Sequence, residues 1–125
     1  GPAYWNARAA INFVHQKNDY GNTQIYFSSG KENQDFFVNA LIASGEAIRS
    51  GWRDSQEEIL LNLLKRSVYS ESFSQQDLAQ SLAINPSALS KRLKSSSVRV
   101  YLRGRAAALA SIHSTVKGEE DERIV

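Results

Sequence analysis

The sequence contains no cysteine and only two histidines, His15 and His113. No disulfide framework can form, and with only two histidines, far apart, to offer nitrogen, a structural zinc site is not expected. No apolar run approaches the roughly 18 residues that a membrane span needs. Nothing at the start has the basic-then-apolar form of a signal peptide. The expectation is a soluble, cytoplasmic chain without a membrane partner. Catalytic signatures are missing as well. Ser28-Ser29-Gly30-Lys31 lacks the Gly-x-x-x-x-Gly-Lys-Ser/Thr spacing with which backbone N–H groups surround a phosphate. No acid or base stands in a context that would bring its pKa toward neutrality, and no nucleophile motif is present. The chain is therefore expected not to be an enzyme and to need no cofactor or metal.

What remains is ordinary globular composition, 42% hydrophobic and 22% charged over 125 residues, enough for one domain or two small helical subdomains sharing a core. The net charge of +2 hides an uneven distribution. Residues 1–73 carry −1, residues 74–105 carry +5 from six cations and one acid, and residues 106–125 carry −2. A concentrated basic stretch suits a polyanion, because each phosphate neutralised releases counterions. A solvated basic face is the competing explanation of the charge alone.

Three regions follow. Residues 1–53 read as a helix–strand–helix segment. Residues 3–15 form an apolar helix with Tyr4, Trp5, Ile11, Phe13 and Val14, and residues 23–28 have the β-branched and aromatic content of a short strand. Residues 32–50 form a second helix, stopped by Gly51. The short strand has no evident mate, which suggests a fragment or a homodimer in which that edge is paired. Residues 54–117 read as a helical domain. Asp54 or Ser55 caps its first helix, with Glu57 or Glu58 three residues on, and Ile59, Leu60, Leu63, Leu64 and Val68 supply the buried face. Two short helices follow at 74–83 and 86–95, then a longer one at 97–115 that Gly104 weakens by about 1 kcal/mol relative to alanine. Residues 98–102 alternate as a strand would and Arg103-Gly104 could turn it into a wing, but the alanine-rich run at 106–110 favours helix. Residues 118–125 are a charged tail expected to fray. The predicted fold is mainly α, a tri-helical core preceded by a helical segment, with at most one short strand. Trp5 and Trp52 are expected in packing roles.

The spacing of residues 74–94 is the most informative part. Ser74 can cap a helix with Asp77 three residues later, and Phe73 can staple onto Leu78. Leu78 and Leu82 face inward, and Ala79 is small enough for a second helix to cross closely. Ile84 anchors the turn, Asn85 caps the next helix and Pro86 takes its first position. Leu89 and Leu93 close the core. Asn85, Ser87, Ser90, Lys91 and Lys94 are left on the outer face, with Arg92 turned partly aside. This arrangement resembles the helix-turn-helix of bacterial transcriptional regulators, in which a Leu-Ala pair, a small residue at the turn and a Ser-x-x-Leu ending recur. Ala83 stands where that pattern often has glycine. Two packed short helices with leucines four apart would also satisfy a plain helical hairpin.

Residues 1–11, Gly-Pro-Ala-Tyr-Trp-Asn-Ala-Arg-Ala-Ala-Ile, resemble the stretch leading into the C-terminal part of SatD-family bacterial proteins, which also end in a helix-turn-helix. The resemblance implies that Gly1-Pro2 is native rather than the remnant of a cleaved tag. It also implies a preceding α/β region able to pair with the strand at 23–28.

The helix-turn-helix resemblance implies a transcription-regulating partner of double-stranded DNA. Asn85, Ser87 and Ser90, near the N-terminus of the second motif helix, are then placed to read bases. Lys91 and Lys94 would supply mainly phosphate attraction, with a guanine contact also open to them, and Arg92, Arg99, Arg103 and Arg105 would hold the flanking backbone. The same fold can serve instead as a protein-docking module. Exposed aromatics would mark that use, whereas this outer face has lysines and serines.

Overall fold

The computed structural model describes the backbone of residues 26–124 and the side chains of residues 26–114, so the apolar helix expected at residues 3–15 lies outside the described residues. Five helices run through them in order: α1 Glu32–Ser50, α2 Asp54–Lys65, α3 Gln75–Leu82, α4 Pro86–Ser96 and α5 Val98–Ile124. The fold is mainly α, and no strand occurs among the described residues.

α1 follows a turn at Gly30, whose φ of +83° lies where an L side chain is strained. Its acidic first turn, Glu32 and Asp35, and basic last turn, Arg49, complement the helix dipole. It lies antiparallel on α5: Gln34 Nε2 donates to the Ser111 carbonyl at 2.9 Å, Leu41 meets Gly104, and Gly45 meets the Tyr101 ring. A Cβ on Gly45 would stand 3.4 Å from that ring, at the near limit of ordinary van der Waals contact.

The strand expected at 23–28 is not formed over the part described, and its backbone finds partners on α1. Asn39 bonds both backbone groups of Phe27. The Ser29 N–H donates to both oxygens of Asp35 at 3.0 Å, and the Ser29 hydroxyl donates to Asp35 Oδ1 at 2.5 Å. At Phe27 and Ser29, therefore, the edge needs no second strand.

α2, α3 and α4 pack on one another, and α2 and α4 pack on α5. Ile59, Leu60, Leu63, Leu78, Ala79, Leu89, Leu93, Val98, Tyr101 and Leu102 form their shared core. Truncating one of these leucines to alanine costs about 2 to 5 kcal/mol through lost transfer energy and a cavity. Trp52 packs edge-on against Tyr101, with ring centres 5.2 Å apart, in the packing role expected of it.

The start of α2 differs from the expected cap. Arg53 is the N-cap, and the Gln56 side chain accepts from its N–H at 2.8 Å. Glu57 is drawn away into an ion pair with Arg49. The last helix also departs from expectation. It starts at Val98, passes Gly104 without a break and continues to Ile124, through residues expected to fray. No proline interrupts it, although Gly118 and the acids at its C-terminal end do not favour helix there. Helix rather than a wing occupies 98–110, as the alanine run favours.

Candidate nucleic-acid interface

The local chemistry of residues 74–97 determines where the cationic side chains stand. Ser74 Oγ accepts from the Asp77 N–H at 3.2 Å and starts α3. The helix ends at Ala83, in the left-handed region with φ 54° and ψ 43°, where the Ile84 N–H returns to the Ala79 carbonyl at 3.1 Å. That bond satisfies one of the orphan carbonyls and carries Ile84 onto the core. Asn85 Oδ1 then accepts from the Ser87 N–H at 2.8 Å and from the Ser87 hydroxyl at 2.6 Å, and Pro86 opens α4.

Leu89 and Leu93 are buried on the inner side of α4. At about 100° per residue, Ser87, Lys91 and Lys94 fall within about 60° of one another on the opposite side, flanked by Ser90. Asn85, Ser87, Ser90, Lys91 and Lys94 are all exposed, and Arg92 is half-buried. Ser87, Ser90, Lys91 and Lys94 thus share the outer side of α4, Asn85 stands at its start, and Arg92 lies about 100° round from Lys91 toward the packed side. Neither lysine forms an ion pair among the described residues.

The arginines of α5 are placed differently. Arg103 grips Glu71 with two parallel bonds, Nε to Oε1 at 2.9 Å and Nη2 to Oε2 at 2.8 Å. Arg99 donates to the Glu71 carbonyl and lies 4.1 Å over the Phe73 ring centre. Both side chains thus hold the loop between α2 and α3. Hydrogen bonding from Arg103 keeps the Glu71 carboxylate below its ordinary range, and the same contact raises Arg103. Arg105 is half-buried, with Nη1 buried and unpartnered among the described residues. These three therefore do not extend the free cationic surface of α4 as Lys91 and Lys94 build it. Arg49 is likewise committed. Its bonds to Glu57 raise its pKa, opposed by burial and assisted by Tyr101.

Arg53, which sequence reasoning did not single out, stands exposed at a cleft beside Ser95 at the far end of α4. No local pattern marks it, because its nearness to α4 comes from the packing of α2. Elsewhere, no group of three His, Cys, Asp or Glu residues is placed to hold a metal among the described residues, and no helix there is long and apolar enough to cross a membrane. His113 is exposed.

One family model, the SatD family, matches residues 1–112. No curated protein and no solved structure matches the chain.

Proposed function

The chain belongs to the SatD family, and from that premise we propose that it binds duplex DNA as a bacterial transcriptional regulator, with α3 and α4 as a helix-turn-helix and α4 in the major groove. The observation that carries the reading is the row of Ser87, Lys91 and Lys94 on the outer side of a helix whose inner side is locked by Leu89 and Leu93. A short-chained N-terminal half admits close approach to base edges, and uncommitted lysines further along meet phosphates. The chain acts on this reading as a binding module and not as an enzyme.

Arg92 contributes from the flank. Arg99 and Arg103 brace the motif through Glu71 and Phe73, and that commitment holds them back from the flanking backbone. Arg105 takes the least part, because one end of its guanidinium is buried. Two-fold dimers commonly present such helices to half-sites about one helical turn apart. A dimer of this chain would use a surface other than the groups of Phe27 and Ser29 that Asn39 and Asp35 occupy.

Binding to a random duplex pool at two salt concentrations tests the reading. The expected result is a steep loss of affinity with salt and enrichment of a preferred sequence. Replacing Lys91 and Lys94 together by alanine should flatten the salt dependence by about two units, one per contact. A folded double variant with unchanged affinity and slope would remove α4 from the groove and favour protein docking instead.

A further inference from the structure

A cleft of about 520 Å³ opens between the start of α2 and the end of α4, lined in part by Trp52, Arg53, Gln56, Ser95, Ser96 and Ser97. Its walls are fastened across the fold. Trp52 Nε1 donates to the Ser96 carbonyl at 2.7 Å, and Gln56 Nε2 donates to Ser95 Oγ at 3.1 Å. Ser96 is buried, its hydroxyl donating to the Leu93 carbonyl at 3.2 Å and accepting from the Val98 N–H at 3.3 Å. The cleft is therefore held in shape by side chains whose own bonding is satisfied, while Arg53 and Ser97 at its rim are exposed.

The electrostatics of the lining are one-sided. Arg53 is its one charged member, and no carboxylate lines it. Arg53 also takes no part in an ion pair among the described residues, in contrast to Arg49 four positions earlier, which Glu57 consumes. The position of the cleft matters as much as its charge. Ser95 follows Lys94 directly and Lys91 by one turn, so the cleft continues the cationic outer face of α4 past its C-terminal end. A helix seated in a major groove meets sugar-phosphate backbone beyond its ends, and the planar guanidinium fork matches the paired oxygens of a phosphodiester.

Resting on the DNA-binding reading above, we propose that this cleft receives a backbone phosphodiester of the same duplex, gripped by Arg53 and approached by the Ser97 hydroxyl. It fixes the register of α4 and carries no sequence information. α2 and α5 begin at the cleft while α1 and α4 end there, so the helix dipoles offset one another and the attraction for the phosphodiester falls to the Arg53 guanidinium.

The test compares Arg53→Ala, Arg53→Lys and the Lys91→Ala/Lys94→Ala pair by duplex titration over a salt series, with thermal melting as the folding control. Arg53→Ala should weaken all duplexes alike and lower the salt slope by about one unit, with sequence ranking unchanged. Arg53→Lys should keep the slope and lose part of the affinity, since the charge remains and the fork is gone. If Arg53→Ala lowers the melting temperature, Arg53→Gln is read in its place. Unchanged affinity and slope at position 53, or an altered sequence ranking, overturns the cleft as a phosphate site. The DNA-binding reading survives that result when the lysine pair still loses slope. Failure of the unsubstituted chain to bind any duplex overturns both.

Discussion

Asn39 is the pairing partner of Phe27: its Oδ1 accepts from the Phe27 N–H at 2.6 Å and its Nδ2 donates to the Phe27 carbonyl at 2.7 Å. One carboxamide thus does for this backbone what a neighbouring strand would do. Asn39→Ala should destabilise the chain by about 1 to 3 kcal/mol, because two half-buried backbone groups lose their partner. Asn39→Asp should cost at least as much, since it sets a carboxylate against the Phe27 carbonyl. Chemical denaturation of both variants checks the order, and an Asn39→Asp variant as stable as the parent would contradict the pairing.

Ala83 holds a left-handed backbone, φ 54°, at the turn between α3 and α4. That region costs a residue with a Cβ roughly 1 to 2 kcal/mol. Ala83 is exposed, so its methyl group forms no core contact that glycine would forfeit. Ala83→Gly should therefore raise stability by about 0.5 to 1 kcal/mol after the greater entropy of glycine in the unfolded chain is subtracted. Equilibrium unfolding measures the gain, and duplex affinity should not change.

Glu71 titrates against Arg103. Its folded pKa is depressed by the hydrogen bond from that guanidinium, so its contribution to stability is present at neutral pH and is lost as pH falls through the folded value. Melting followed from neutral pH downward should show an acid-dependent loss that Glu71→Gln removes. Glu71→Gln should also release Arg103, so that duplex binding by that variant becomes more salt-dependent than in the parent. A Glu71→Gln variant with the parent's pH profile would dismiss the fork as a stabilising contact.

On the proposed DNA-binding reading, the cap of Ser87 determines which base edges it can meet. Its hydroxyl donates to Asn85 Oδ1 at 2.6 Å, so the lone pairs are what it can offer to a base edge. It should face the N6 amino group of adenine or the N4 amino group of cytosine, the donors in the major groove. Ser87→Ala should relax preference at one base position while leaving the salt slope intact. Asn85→Ala should lower stability by about 1 kcal/mol through loss of the cap. Affinity unchanged when the amino group of the preferred base pair is removed by a base analogue would refute the acceptor role.

The parts of the fold that could be read in advance are those determined within a few residues. Ser74 with Asp77, and Asn85 with Ser87 and Pro86, place the ends of α3 and α4 by caps that the sequence spells locally. The outer row of Lys91 and Lys94 follows from the inward Leu89 and Leu93. The occupation of Arg99 and Arg103 was not legible, because their partner Glu71 lies 28 and 32 residues away. Arg53 was hidden for the same reason, since packing alone brings it to Ser95. The segment before Gly30 has strand composition, yet its bonding partner at Phe27 is a helix side chain, which hydrophobic periodicity does not register.

Ser97 is the only residue between α4 and α5, and it stands in the left-handed region at φ 56° with Val98 buried just beyond it. Mechanically, this makes the two helices a bent lever with a stiff elbow. α5 has 27 residues, a long arm of about 40 Å at 1.5 Å per residue, and α4 is the short arm. A sideways displacement of about 2 Å at the far end of that arm corresponds to a rotation of about 3° at the elbow. With α1 lying along that arm from Tyr101 to Ser111, the angle at Ser97 determines how the outer side of α4 is turned relative to the α1–α5 pair.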